Sequence, residues 1–219
     1  MNAKQHAVEI VENLRESGHQ AYLVGGCVRD LLLGREPADF DVATDATPEQ
    51  VMRIFPETYA VGAQFGVVLV PGFGEDNSQL VEVATLRSDI GYSDGRHPDQ
   101  VQFTKDPKED VRRRDFTING LLLDPVTDQV LDFVGGREDI EAKVIRSIGN
   151  PEQRFAEDKL RMLRAVRFAA RFSYTIEPAT FAAIRKLAPQ SLQVSRERIR
   201  DELTRILTEG HARRGFLLL

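Results

Sequence analysis

Two adjacent glycines, Gly25 and Gly26, follow the apolar pair Leu23-Val24 and precede Cys27-Val28-Arg29-Asp30-Leu31-Leu32-Leu33-Gly34, and the chain then reaches Asp39-Phe40-Asp41-Val42-Ala43-Thr44. This stretch reads as a strand, a tight turn, a short helix with a base in its first turn, and a second strand carrying two aspartates. Without Cβ atoms, Gly25 and Gly26 let the backbone turn sharply and bring N–H groups close to a ligand, and the helix that starts there adds its unpaired N–H groups and positive dipole end. Arg29 supplies a planar fork suited to phosphate oxygens. Asp39 and Asp41, two residues apart on a strand, face the same side, where two carboxylates can hold hard cations for phosphoryl transfer.

The rest of the chain alternates helix and strand signals before turning helical. Ala3 to Ser17 is predicted as an amphipathic helix with Ala7, Ile10, Val11 and Leu14 inward and Gly18 ending it. Gln20 to Val24 is a strand, and Thr47-Pro48-Glu49-Gln50 carries a capping box that starts another helix. Phe65 to Val70 and Leu80 to Leu86 form a hairpin across a polar loop. Glu82, mid-strand among apolar neighbours, needs a partner to offset desolvation, either a metal or an arginine such as Arg87. Arg87 to Gln100 has almost no apolar residues and is expected to be a mobile loop, with His97 a loop residue and not a ligand. Asp110 to Leu123 reads as helical, and Gln129 to Phe133 as a strand. Gly135-Gly136 before a helix serves either as a hinge or as a plain turn. Arg154 to Phe172, Pro178 to Leu187 and Arg196 to Glu209 are helices, the last capped by Ser195.

In the first of these, Asp158, Arg161, Arg164 and Arg167 recur every three residues beside an apolar stripe. They form either a salt-bridged face, with pairs such as Glu157 to Arg161, or a base-reading surface. Cytosine and adenine each carry an exocyclic amine beside an unprotonated ring nitrogen. A carboxylate that accepts and a guanidinium that donates therefore suit both and reject uracil and guanine.

These motifs, in this order, resemble the bacterial-type (class II) tRNA nucleotidyltransferase and poly(A) polymerase family, which includes the CCA-adding enzymes. The resemblance rests on Gly25-Gly26-x-Val28-Arg29-Asp30 with Asp39-x-Asp41, on Glu82 to Arg87, on Arg113-Arg114-Asp115-Phe116-Thr117-x-Asn119, on Asp132-x-x-Gly135-Gly136-x-x-Asp139-Ile140, on Glu157-Asp158-x-x-Arg161, and on Val194-Ser195-x-Glu197-Arg198-Ile199-x-x-Glu202. It implies an α+β fold: a catalytic head with a small mixed sheet and flanking helices over residues 1–147, then an all-helical neck over 148–219. The implied activity is metal-dependent transfer of CMP and AMP from CTP and ATP to the 3′ end of tRNA, with poly(A) synthesis or C-only or A-only addition as alternatives. The implied catalytic residues are Asp39, Asp41 and Glu82, the first two holding Mg2+. Gly26 and Arg29 hold the triphosphate, Arg114 the sugar, Asp158 and Arg161 the base, and Arg164 and Arg167 nucleotide or phosphate. The last motif braces the neck, and the flexible loop helps the pocket accept different nucleotides. The resemblance covers nearly all of this chain but only the front half of a typical member, which leaves open a nucleotide-binding module without turnover.

Composition limits the partners. With 219 residues and 42% hydrophobic content, the chain can bury one full core and part of a second. A net charge of −5 argues against a generally basic nucleic-acid surface, so RNA contacts must be local. Cys27 is the single cysteine, expected to be a packing residue in a reducing compartment. No apolar run reaches membrane-spanning length, which gives a cytoplasmic expectation.

Overall fold

The computed structural model describes residues 2–72, 80–95 and 98–219, and these form two compact units. The first comprises residues 1–89, 101–113 and 119–134, and the second residues 90–100, 114–118 and 135–219. Residues 135–147, placed with the head on sequence grounds, pack with the second unit.

The first unit is built on α1 (Ala3–Glu16), β1 (Ala21–Val24), α2 (Gly26–Leu32), β2 (Asp41–Thr44), α3 (Pro48–Ile54), β3 (Tyr59–Gly62), β4 (Val67–Pro71), β5 (Leu80–Thr85), the short strands β6 (Arg87–Ile90) and β7 (Gln100–Phe103), α4 (Pro107–Arg112), β8 (Leu121–Asp124) and β9 (Gln129–Asp132). Seven strands make one sheet in the order β3-β4-β5-β2-β1-β8-β9. The β2–β5 pair is parallel and the other pairs are antiparallel, which gives the mixed sheet expected. Helix α1 starts from a reciprocal capping box between Asn2 and Gln5 and buries Ala7, Ile10, Val11 and Leu14, each 0% exposed. Fully burying each large aliphatic side chain is worth about 1.5–3 kcal/mol.

Three expectations fail here for identifiable reasons. The helix read from Asp110 onward ends at Arg112, and Leu121, Leu122 and Leu123 form β8 between β1 and β9. An apolar run of that length does not by itself distinguish strand from helix, and pairing with β1 decides it. The expected loop from Arg87 instead opens and closes as the two-stranded β6–β7 ribbon. Its first strand is held by charge: Arg87 pairs with Asp89 at 2.9 Å, its guanidinium donates to the Phe65 carbonyl, and its backbone N–H donates to Asp110 at 3.3 Å. Glu82, the third case, lies exposed between buried Val81 and Val83, so strand alternation leaves no desolvation to offset. His97, and most of the hairpin loop before Leu80, lie outside the described residues.

The second unit contains α5 (Gly136–Ala142), β10 (Val144–Ile145), α6 (Pro151–Glu157), α7 (Leu160–Phe172), β11 (Thr175–Ile176), α8 (Pro178–Leu187), α9 (Arg196–Thr208) and α10 (Ala212–Leu218). It is not wholly helical, because β10 and β11 pair in parallel over two residues. The continuous helix read over Arg154 to Phe172 is two helices. Asp158 sits between them in extended conformation (φ −142°, ψ 106°), its carboxylate accepting the Leu160 N–H at 3.0 Å. Phe116, Phe168, Phe172 and Tyr174 form a chain of ring contacts with centroids 5.7–6.1 Å apart. Helix α10 approaches closely at Gly215, where a β-carbon would collide with Ile206. Among the described residues no helix is long and apolar enough to cross a membrane.

Candidate functional site

The glycine turn and the aspartates are neighbours because β1 and β2 run antiparallel. Val24, the last residue of β1, pairs with Asp41, the first of β2, so the Gly25–Gly26 turn and the start of α2 emerge beside the carboxylates. Gly25 adopts φ 79° and ψ −128°, a conformation that side chains disfavour, and its N–H donates to the Leu121 carbonyl at 3.0 Å. The next N–H groups, from Gly26 onward, have no intrahelical acceptor. Arg29 is only 4% exposed; its guanidinium donates to Asp30 at 2.9 Å and to Asn119 at 2.5 Å. Its charge is thus fixed beneath the turn by two protein acceptors, with Gly26 close above it.

Register brings two of the carboxylates, Asp41 and Glu82, together, and Asp39 precedes β2. Phe40 and Val42 are buried, while Asp39 is exposed and Asp41 half-buried. On the adjacent parallel strand Glu82 is the register partner of Asp41. Among the described residues neither Asp39 nor Glu82 has a hydrogen-bond or ion-pair partner. Arg87, the alternative partner for Glu82, is engaged with Asp89, Asp110 and Phe65. Hard carboxylate oxygens suit Mg2+, which takes one or two protein carboxylates and completes its shell with water and phosphate. Among the described residues no group of three or more His, Cys, Asp or Glu side chains is gathered to hold a metal ion. Cys27 packs behind, donating to the Val24 carbonyl at 3.3 Å; burial, reinforced by the Asp41 charge, pushes its thiol up to about 11. A thiol so held is neutral, as expected of a packing residue.

The second unit holds the base-reading candidates, and each is fixed by a partner that local sequence does not reveal. Asp158 is bidentate with Arg198 of α9 at 2.8 and 3.2 Å. Arg161 is 9% exposed and donates through Nη1 to Glu157 at 2.7 Å and to the Arg154 carbonyl at 2.9 Å. Arg154 also pairs with Glu157 and donates to the Arg114 carbonyl at 2.9 Å, which ties Arg114 to α6. Burial and the Arg161 charge pull the Arg154 guanidinium below its usual range, against the pull of Glu157. Arg164 forks onto Asp115 at 2.6 and 2.8 Å and lies over the Phe168 ring; burial opposes its charge, but Asp115 outweighs it and raises the pKa. Arg167, 3% exposed, donates to Glu202 at 2.6 Å and to Glu209 at 3.1 Å.

The expected salt-bridged face is present in this segment. Glu157–Arg161 forms as an ion pair, while Asp158 lies between the two helices, its carbonyl accepting the Arg161 N–H at 3.1 Å and its carboxylate committed to Arg198. Sequence reasoning missed Arg198 and Asp115 as partners, although both stand inside motifs it had singled out.

Residues 21–146 match the Poly A polymerase head domain, and residues 173–219 match a family described as a probable RNA and SrmB-binding site of polymerase A. The chain is 43% identical over 215 residues to the CCA-adding enzyme of Geobacillus stearothermophilus, covering 98% of this chain and 52% of that protein. It is 45% identical over 211 residues to the CCA-adding enzyme of Bacillus subtilis (strain 168), covering 96% and 52%. Among solved structures it resembles the Bacillus stearothermophilus CCA-adding enzyme in complex with CTP, with a TM-score of 0.89 at 41% identity over 100% of this chain and 52% of that one. It also resembles the Thermotoga maritima CCA-adding enzyme complexed with tRNA, with a TM-score of 0.77 at 27% identity, covering 99% and 50%. The chain spans about half the length of the curated relatives it matches.

Proposed function

The chain belongs to the Poly A polymerase head domain family, and from that premise we propose that it transfers CMP and AMP from CTP and ATP to the 3′ end of tRNA, releasing pyrophosphate. The observation that carries this reading is the register of Asp41 with Glu82 on adjacent parallel strands, with Asp39 two residues upstream and the glycine turn alongside. Asp39 and Asp41 are the residues that would hold Mg2+. That ion, when bound, supplies charge stabilisation at the attacking and leaving oxygens.

The protein's own groups position the reactants. The Gly25–Gly26 turn, backed by Arg29, presents N–H groups to the triphosphate, and Arg114 contacts the sugar. Glu82 takes the proton of the terminal 3′-hydroxyl as its oxygen attacks the α-phosphorus and the bond to pyrophosphate breaks. Asp158 accepts from the exocyclic amine of cytosine or adenine, and Arg161 donates to the adjacent ring nitrogen. Arg198 and Glu157 hold these two readers in orientation, and Arg164 and Arg167 sustain the same helix. Such catalysis is positioning plus electrostatics.

The test is incorporation of labelled CTP and ATP, alone and together, on tRNA lacking its 3′ terminus in the presence of magnesium. Two C followed by one A is the expected product. Asp41→Ala should abolish incorporation while leaving the circular dichroism spectrum unchanged. Activity near wild type in that variant would remove the metal assignment, and long A tails would reassign the chain to poly(A) synthesis.

A further inference from the structure

A cavity of about 360 Å3 lies within the second unit, walled on one side by the ribbon tip with Tyr92 and Asp94 and on the other by Lys159, Gln193, Ser195 and Arg198. We infer that this cavity takes one nucleotide of a single-stranded RNA, the base against Tyr92 and the phosphodiester against Lys159. The inference rests on the reading that the chain acts on an RNA 3′ end, and it adds a second nucleotide subsite beside the base-reading pair.

The volume accommodates a single nucleoside with its phosphate. Tyr92 is the aromatic ring among the lining residues, and a half-buried ring at a cavity wall is a stacking platform that accepts any base. Ser195 and Gln193 add hydroxyl and amide groups of the kind that meet ribose hydroxyls and base edges.

Charge selects the form of the ligand. Lys159 and Arg198 are the lining cations and Asp94 the lining anion, but Arg198 is already neutralised by its bidentate bond to Asp158. The first turn of the thirteen-residue α9, capped by Ser195, contributes a further partial positive charge. That near-neutral balance does not suit a free triphosphate, which demands a metal and several cations; a single phosphodiester can pair with the Lys159 ammonium. Position supports the same assignment. Lys159 follows Asp158 directly, and Arg198 is both a wall of the cavity and the group that orients Asp158, so an RNA residue bound here lies next to the base being read.

The ribbon tip is shaped to close this wall. Gly95 has φ +67°, and a β-carbon there would come within 3.3 Å of the Lys159 ammonium, which also donates to the Ala156 carbonyl at 3.3 Å. The ribbon backbone therefore rests against the lysine without intervening side chains.

The test measures fluorescence anisotropy of a labelled single-stranded oligoribonucleotide ending in CC, and CTP binding by calorimetry with magnesium, for the wild type, Tyr92→Ala, Tyr92→Phe and Lys159→Gln. Tyr92→Ala should weaken the oligoribonucleotide by roughly tenfold, while Tyr92→Phe stays within about twofold, since stacking needs the ring and not the hydroxyl. Lys159→Gln should weaken it and lower the salt-dependence slope by about one. CTP affinity should be unchanged in all three. Equal loss of CTP and RNA affinity in Tyr92→Ala would hand the cavity to the incoming nucleotide and overturn the inference, as would unchanged RNA affinity or a wild type that does not bind the oligoribonucleotide. Failure of nucleotide incorporation with these RNA differences intact would overturn the proposed activity and leave the subsite standing.

Discussion

Removing the Glu202 carboxylate isolates what Arg167 does. Arg167 and Glu202 are 3% and 4% exposed and meet at 2.6 Å between α7 and α9. Deleting one member of a buried pair costs about 3–5 kcal/mol, because the remaining charge stays desolvated. Glu209 still accepts from Arg167 at 3.1 Å, and the Phe168 ring lies 4.3 Å from the guanidinium, so Glu202→Ala should fall at the low end, about 3 kcal/mol. With a urea slope of about 2 kcal/mol per molar, the midpoint should drop by about 1.5 M. Replacing both members by apolar residues of similar volume, Arg167→Met with Glu202→Leu, should restore stability to within about 1 kcal/mol of wild type. Urea unfolding followed by circular dichroism reads all three proteins. A loss below about 1 kcal/mol for the single variant, or a double variant no better than the single, refutes the buried-pair argument. Calorimetric titration with CTP adds the functional half: the restored double variant should keep its affinity if Arg167 braces the helix and lose it if Arg167 contacts the nucleotide, as its motif position alone implies.

Other consequences are equally specific. Gly25→Ala should destabilise by about 1–3 kcal/mol, since φ 79° with ψ −128° is strained for alanine, and a thermal melt would show it. Cys27, with its thiol raised to about 11, should react with iodoacetamide at pH 8 roughly two orders of magnitude more slowly in the folded protein than in urea, as mass spectrometry would record. Burial works against the Asp124 charge, but the Arg15 guanidinium at 2.8 Å and the N–H groups of Val126 and Thr127 outweigh it and lower the pKa from 3.8 to about 2. A depressed carboxylate stabilises above its unfolded pKa and loses that contribution as pH falls through the folded value. Between pH 4 and 2 the wild type should therefore lose about 1 kcal/mol more than Asp124→Asn, after allowance for solvent screening.

Local signals were legible wherever the chain solves its own problem. The capping box at Thr47 and the Ser195 cap mark helix starts that the structure places within a residue or two. The strand around Glu82 was equally readable, but not the exposure of its carboxylate between buried Val81 and Val83. What was not readable depends on distant partners. Leu121 to Leu123 become a strand because β1 is waiting for them, and the ribbon at Arg87 is held where apolar contacts are lacking by Asp89 and the Phe65 carbonyl on its guanidinium and by Asp110 on its backbone N–H. The break at Asp158 was hidden because apolar and basic residues continue through it in helical spacing. At the break Asp158 accepts the Leu160 N–H and pairs with Arg198 on another helix, a partner with no local mark. Charge partners remote in sequence are where pattern reading stops.

The centre of the first unit's sheet joins residues from far ends of its sequence: Leu23 pairs with Leu123, and Arg29 finds Asn119. During synthesis, β1, β2 and the glycine turn leave the ribosome long before the strand that flanks them and the asparagine that anchors Arg29. Until β8 arrives, β1 presents an open apolar edge, and the Gly25–Gly26 turn has no floor. Such late closure makes for slow folding and a window in which an unpaired edge can capture another chain. A nascent chain arrested before residue 119 would thus carry both aspartates and both glycines without the support that gives them a common geometry.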